Sequence, residues 1–178
     1  MGSSCTTGET LKDYVTGRDM PDCDDEVIRQ NLERLLVEVK GYERSDLEVD
    51  RWFHIEIDGV LEKGRADLVV GLPNQPFMTI KCSRGSLVTR EREALAASRL
   101  CHERPVPYTV VTNGQDAEFL DTLTGQVLAT GLEAVPHKND ALKMSLGPTC
   151  PPLDAAKRIK EGRVYLAFTD MKCPADCP

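Results

Sequence analysis

The clearest pattern of apolar and polar positions lies near the N-terminus, where apolar residues recur at helical spacing. They share one face of the stretch from Asp24 to Lys40 and comprise Val27, Ile28, Leu32, Leu35, Leu36 and Val39. Asp22, Asp24 and Asp25 stand at the start of this stretch, and carboxylates favour the positive end of a helix dipole. We therefore predict an amphipathic helix that lays its apolar face on a sheet.

The pattern then changes to a period of two, which is typical of half-buried strands. Residues 54–58 alternate in this way, and strand continues back to Leu47. Asp58-Gly59 is a hairpin signal, because glycine tolerates the positive φ of a tight turn. Further strands are predicted at residues 65–70, 77–82, 108–112, 117–121 and 126–129. The β-branched run at 108–112 is typical of a buried parallel strand.

A second helix is predicted from Arg90 to about Glu103, with Ser86 or Thr89 as its cap. Helix, three strands, helix and further strands indicate an α/β sandwich around a mixed sheet. Residues 1–22 are polar, and we expect them to be flexible or to form a lone turn. Beyond Gly131 the pattern decays, so we predict an irregular extension with a short helix at 153–161 and a short strand at 164–168.

Composition narrows the class of protein. The 178 residues suit one domain with a short appendage. A net charge of −7 argues against a protein that coats nucleic acid through a generally basic surface. It is still compatible with a local basic face. No apolar run approaches a membrane span, and the N-terminus has no apolar signal core. We expect the seven cysteines to be reduced thiols in a cytoplasm.

Two charged residues interrupt the apolar strands. Asp67 precedes Leu-Val-Val, and Lys81 ends Phe-Met-Thr-Ile. Burying either charge alone costs several kcal/mol, so we expect the two side chains to meet on adjacent strands at a solvent-open edge. Mg²⁺ binds through one or two carboxylates, water and substrate phosphate, and a neighbouring lysine stabilises phosphate charge. The pair therefore fits either Mg²⁺-dependent phosphodiester hydrolysis or a plain salt bridge.

The run from Val27 to Gly114 resembles the N-terminal nuclease domain of type I restriction enzyme R subunits, within the PD-(D/E)XK nuclease superfamily. The matching segments are VIRQNLERLLVE, the following GY, GRADLVV, the strand ending in Ile-Lys, EREALAASRL and PYTVVTNG. The resemblance implies a restriction-endonuclease-like αβα sandwich around a mixed central sheet at residues 23–131, followed by the extension at 132–178. It also implies Mg²⁺ as cofactor, DNA as substrate, and other restriction-system subunits as partners.

The resemblance assigns roles residue by residue. Asp67 matches the family's first metal-binding aspartate, and Lys81 matches its catalytic lysine. The family expects Glu or Asp two residues before that lysine, where this chain has Thr79. Some restriction enzymes of the superfamily supply the carboxylate from the following helix, which here carries Glu91 and Glu93. We favour Glu93, which makes Asp67 and Glu93 the predicted metal ligands; the alternative is that both glutamates pair with neighbouring arginines or solvent.

Other charged residues are candidates for supporting roles. The accessory candidates are Arg65, Thr79 and Glu38, the last as an outer metal ligand. Glu33 is a weaker choice for that ligand, and both first-helix glutamates otherwise belong to a solvated face. A local positive cluster beside Lys81 fits phosphate groups, and ordinary surface charge explains it equally well. Its arginines are Arg84, Arg90 and Arg92.

The C-terminal CPADCP places two cysteines close together, Cys173 and Cys177. With Cys150 and either Cys23 or Cys5 they would supply the four ligands of a zinc ion or an iron–sulfur cluster. Because no second close pair completes the set, we predict free or crosslinked thiols and no stoichiometric metal on this tail.

Three functions are compatible with these features. The first is a Mg²⁺-dependent DNA endonuclease with a motif made degenerate by Thr79. The second is a catalytically inactive protein of the same fold that binds nucleic acid or a protein partner. The third is a defence-system subunit whose partner supplies the motor, since this chain has no helicase motif. For the isolated chain we expect weak or absent cleavage.

Overall fold

A six-stranded mixed sheet forms the centre of the molecule, as seen in a computed structural model that describes residues 10–73, 75–147 and 149–169. A separate hairpin precedes it, made of β1 (Thr10–Lys12) and β2 (Asp19–Pro21). The central strands are β3 (Leu47–Ile57), β4 (Val60–Leu72), β5 (Gln75–Cys82), β6 (Tyr108–Thr112), β7 (Ala117–Asp121) and β8 (Val127–Thr130). They lie in chain order across the sheet, with β5 and β6 parallel and all other neighbours antiparallel.

Helices cover both faces of this sheet, which confirms the predicted αβα sandwich. The helices are α1 (Asp24–Arg34), α2 (Glu91–Leu100), α3 (Lys138–Met144) and α4 (Ala155–Thr169). A π-helical turn (Leu35–Val39) extends α1, and short 3₁₀ turns occupy Arg44–Asp46 and Leu132–Ala134. Residues of α1 and α3 pack in a core on one face, and residues of α2 and α4 pack in a second core on the other. Among the described residues, no helix is both long and apolar enough to span a membrane.

The predicted apolar face of α1 is confirmed at its centre. Leu32 and Leu36 are buried in the first core, and Ile28 and Leu35 pack against it half-buried. Val27 and Val39, at the ends of the predicted face, are exposed instead. The helix also buries charged residues that periodicity does not predict: Glu26, Arg29 and Glu33. They form ion pairs among themselves, and Arg29 also binds Asp13 of the loop between β1 and β2 at 2.9 Å.

The hairpin β3–β4 changes sides along its length, and this shift positions the candidate site. Leu47 and Val49 of β3 pack in the first core. Phe53 and Ile55 are also odd-numbered positions of this strand, yet they pack in the second core on the other face. The change falls at Asp50, which has a left-handed φ of 57°. Such a conformation is uncommon for a residue other than glycine and needs support from its surroundings. Asp50 receives that support through an ion pair with Arg65 at 3.2 Å.

The predicted irregular C-terminal extension is wrong in its secondary structure. The short strand predicted at 164–168 belongs to α4, which runs from Ala155 to Thr169. Its approach to β3 is close: a Cβ at Gly162 would lie 2.5 Å from Ile55, so only glycine fits there. Tyr165 packs edge-on against Phe53 with ring centroids 5.3 Å apart. Packing on β3 and α2 therefore overrides the β propensity of Val-Tyr-Leu-Ala-Phe.

Two further predictions need correction. Residues 10–21 form a short hairpin where we predicted a flexible segment or a lone turn, and Asp13 shapes its loop by accepting hydrogen bonds from Thr16. The second helix begins at Glu91 and ends at Leu100, and neither Ser86 nor Thr89 caps it with a side chain.

Candidate active site

Asp67 and Lys81 meet on adjacent strands, as predicted. Leu68 of β4 pairs with Ile80 of β5, so the neighbouring positions 67 and 81 face each other. The ammonium Nζ of Lys81 lies 3.0 Å from Asp67 Oδ2 and 3.2 Å from Oδ1. Their side chains are only 7% and 9% exposed, so the predicted solvent-open edge is wrong. The strands lie inside the sheet, and helix α2 contacts both of them.

Helix α2 brings a second carboxylate to Lys81. Glu93, in the first turn of this helix, is fully buried and places Oε1 3.3 Å from Lys81 Nζ. Its other oxygen lies 3.4 Å from Arg90, one turn earlier. Glu91 is half-buried and is a neighbour of Glu118, whose pKa is raised by burial and by the charge of Glu91. The structure therefore gathers Asp67, Lys81 and Glu93 into one cluster and leaves Glu91 outside it.

A cavity of about 10 Å³ lies at this cluster, which is room for about one water molecule. Its polar lining consists of Arg65, Asp67, Thr79, Lys81, Glu93 and Tyr165. Asp67 also accepts the backbone N–H of Cys82 at 3.1 Å. A buried ion pair is stable only when its remaining lone pairs are satisfied, and the Cys82 N–H supplies one such bond.

Arg65 connects the cavity to the surface. One guanidinium nitrogen lies 3.4 Å from Asp67, another lies 3.2 Å from Asp50, and the side chain is 42% exposed. The guanidinium carbon also lies 6.0 Å from the ring centroid of the exposed Trp52. Arg65, predicted as an accessory residue, thus lies beside the carboxylate of Asp67, and part of its guanidinium faces solvent.

Thr79 faces the cavity but belongs to a buried chain of hydroxyl groups. Its hydroxyl is hydrogen-bonded to Ser98 of α2, and Thr109 donates to the same Ser98 oxygen at 2.7 Å. Thr122 is hydrogen-bonded to Thr109 at 2.8 Å. Ser98 gives its own proton to the carbonyl of Ala94, so Thr79 acts as donor to Ser98. Thr79 therefore joins β5 to α2.

The cluster offers two carboxylates to a divalent cation. Mg²⁺ takes such a set when water and substrate phosphate complete its six oxygen ligands. Both carboxylates contact the ammonium of Lys81, so a metal ion would compete with that ammonium. No group of three or more His, Cys, Asp or Glu side chains within the described part of the chain is arranged to hold a metal. The residues fit Mg²⁺ only as a two-carboxylate site.

Other predicted site residues lie elsewhere. Glu38 is exposed and accepts a hydrogen bond from Tyr14 at 3.1 Å. Glu33 is buried with Arg29, 2.6 Å away, and lines no part of the cavity. Arg84 forms an ion pair with Asp24 at the start of α1. Of the predicted phosphate-binding arginines, Arg90 is the one that contacts the cluster.

Three of the four described cysteines are buried thiols outside any disulfide. Cys82 and Cys101 are buried, and burial raises the pKa of each thiol, to about 12 for Cys101. Cys150 is buried and free. Cys5, Cys173 and Cys177 lie outside the described residues, so the prediction for the cysteine tail stays a prediction.

Tyr165 is the site residue that sequence reasoning missed. Its hydroxyl accepts the backbone N–H of Arg65 at 2.9 Å and donates to the carbonyl of the same residue at 3.0 Å. Burial raises the pKa of this phenol, which favours the protonated donor form. A polar tyrosine within an apparent strand pattern gave no signal that it would support the site from α4.

Fold and site together define an αβα sandwich protein with a buried acid–lysine–acid cluster formed by two adjacent strands and helix α2. The family described as type I restriction enzyme R protein N terminus matches residues 24–136, more than half of the chain. The chain belongs to this family. The match contains Asp67, Lys81 and Glu93 but ends before α3 and α4. No curated protein and no solved structure gives a significant match.

Proposed function

We propose that the chain is a Mg²⁺-dependent DNA endonuclease of the PD-(D/E)XK type that acts in a restriction system. Glu93 takes the place of the acidic ligand that is absent at Thr79. One observation carries this proposal: Lys81 contacts the carboxylates of both Asp67 and Glu93 in one buried cavity. Family membership supports the restriction context.

Each residue of the cluster has a distinct role in this proposal. Asp67 and Glu93 hold the metal, which when bound activates water and neutralises phosphate charge. Lys81 donates hydrogen bonds to the phosphate oxygens as negative charge develops on them. Arg65, half-exposed beside Asp67, offers a guanidinium fork to the phosphate that enters the site.

The charges around the cavity balance in the absence of metal. Lys81, Arg65 and Arg90 face the carboxylates of Asp67 and Glu93, and Arg65 is also paired with Asp50. A divalent cation held by Asp67 and Glu93 would add two positive charges to this balanced site. Metal and phosphate are therefore expected to bind together, because the phosphate offsets the added charge.

The decisive experiment is cleavage of supercoiled plasmid with and without Mg²⁺. We expect wild-type protein to cleave slowly, and both Asp67→Asn and Glu93→Gln to lose about 100-fold or more, as when one electrostatic contact to the reacting group is removed. Glu91→Gln is the matched control, since it makes the same charge change in the same helical turn outside the cavity. Cleavage that survives Glu93→Gln would refute the ligand role of Glu93.

The alternative function is a catalytically inactive nuclease-fold protein that binds DNA or a partner subunit. Thr79 favours this alternative, because a neutral residue stands where the resemblance expects a carboxylate ligand. Its hydroxyl is also engaged with Ser98. In that case wild-type protein is inactive. The substitution Thr79→Glu should then tighten Mg²⁺ binding, which calorimetry measures. Mn²⁺ soaked into crystals separates the two functions directly: the nuclease requires oxygens of both Asp67 and Glu93 in the first shell.

A further inference from the structure

A basic groove lies between the start of α2 and the whole of α4. It has a volume of about 450 Å³. Its cations are Arg92, Lys160 and Arg163, and its larger apolar residues are Ile159, Val164 and Phe168. The apolar residues give the stems of these cations a surface to lie along, while the charged ends stay in water.

The groove adjoins the candidate active site. Arg92 precedes Glu93 on α2, and Val164 precedes Tyr165 on α4. Tyr165 lines the catalytic cavity and is hydrogen-bonded to the backbone of Arg65. The groove and the cavity are therefore lined by consecutive residues of the same two helices.

The charge of the groove is largely uncompensated. In the described part of the chain neither Arg92 nor Lys160 forms an ion pair. Arg163 reaches the exposed Asp58 at 3.2 Å, and surface pairs of this kind contribute little. The acidic residue of α4, Glu161, already faces Arg99 at 3.0 Å. A local excess of positive charge within a chain of net charge −7 indicates a specific anionic partner.

We propose that the α2–α4 groove binds the phosphate backbone of duplex DNA and leads it past the active site. This assignment rests on the proposed nuclease function for the identity of the ligand. Guanidinium and ammonium groups bind phosphates, and a row of them binds a polyanion with an affinity that falls steeply with salt. Helix α4 lies outside the family match, so this chain's own C-terminal region supplies the surface.

The test is fluorescence anisotropy with a labelled duplex in EDTA, where binding does not depend on cleavage. We expect Lys160→Glu combined with Arg163→Glu to weaken binding at least tenfold at low salt. The slope of log affinity against log salt should fall by about 0.9 for each lost phosphate contact. Lys12→Glu combined with Lys143→Glu is the matched control, because both lysines are exposed and belong to elements on the opposite face. It makes the same charge change and should bind within twofold of wild type.

The outcomes separate this inference from the nuclease proposal. Equal binding by the groove variant and wild type, or an equal loss in the control, would overturn the proposed DNA binding by the groove. Plasmid cleavage by the same preparations would still test the nuclease proposal separately. Loss of binding in the groove variant alone, with no cleavage by wild type, would support the groove and refute the nuclease. Undetectable binding by wild type would overturn the groove. If the double variant fails to fold, Lys160→Glu alone is measured, since that side chain is exposed and forms no ion pair in the described structure.

Discussion

Tyr165→Phe tests whether α4 is an integral part of the fold that supports the active site. Strand β4 pairs with β5 from Leu68 onwards, so on that side the backbone of Arg65 has no neighbouring strand. The Tyr165 hydroxyl fills this place by bonding both the N–H and the carbonyl of Arg65. Phenylalanine removes both bonds and keeps the ring that packs against Phe53.

The expected loss follows from the burial of the hydroxyl. Tyr165 is 4% exposed, so water does not readily replace its oxygen as the partner of Arg65. A buried polar group left unsatisfied costs about 1–3 kcal/mol. We expect a loss of this size in the free energy of unfolding, measured by urea denaturation. Thermal melting should fall by about 2–4 °C for each kcal/mol in a chain of this length.

Tyr14→Phe is the control for Tyr165→Phe. Its hydroxyl donates to the exposed Glu38 at 3.1 Å, where water replaces the lost bond. The control should change the free energy of unfolding by no more than about 0.5 kcal/mol. Equal effects of the two substitutions would show that α4 does not complete the edge of β4.

Two further predictions concern the opposite face of the sheet. Leu36→Ala should lower the free energy of unfolding by about 2–5 kcal/mol in urea denaturation, because Leu36 is fully buried. Leu35→Ala should lower it less, because Leu35 is half-buried. The reverse order would show that the buried face of the helix is misassigned. Burial raises the pKa of Glu33 from 4.5 to about 7 despite its contact with Arg29, so the folded state holds this proton more tightly than the unfolded state does. The contribution of Glu33 to stability is therefore complete below about pH 4.5 and is lost as the pH rises to 7. Glu33→Gln should remove this decline between pH 5 and 7 in urea denaturation, and an unchanged pH dependence would contradict the shift.

The strands and the meeting of Asp67 with Lys81 were predictable because both follow from simple periodicity. Alternating burial fixes which residues of a strand share a face, and the Asp58-Gly59 turn fixes the register of β3 with β4. Both Asp58 and Gly59 have positive φ, as the turn signal required. The position of Glu93 beside Lys81 was predicted from family resemblance, since a glutamate in a first helical turn has by itself no signal for burial.

The C-terminal region and the first helix were less predictable because tertiary contacts decide them. Helix α4 forms where local propensity favours strand, since Gly162 allows it to approach β3 closely. Arg29 and Glu33 are buried in contact with each other, and hydrophobic periodicity does not register such a pair. The burial of the active-site pair was missed for a similar reason: the third partner, Glu93, comes from α2 and closes the cavity.

Under the proposed nuclease function, a neutral residue at position 79 suits the charge around Lys81. The cluster keeps two carboxylates, Asp67 from β4 and Glu93 from α2, on one ammonium. A third carboxylate at position 79 would add a further negative charge to the same buried cavity, which costs free energy unless a metal is bound. Thr79 instead forms a neutral hydrogen bond to Ser98, which joins β5 to the helix that carries Glu93. The Thr79 hydroxyl therefore fixes α2 on the sheet in the position that brings Glu93 to Lys81.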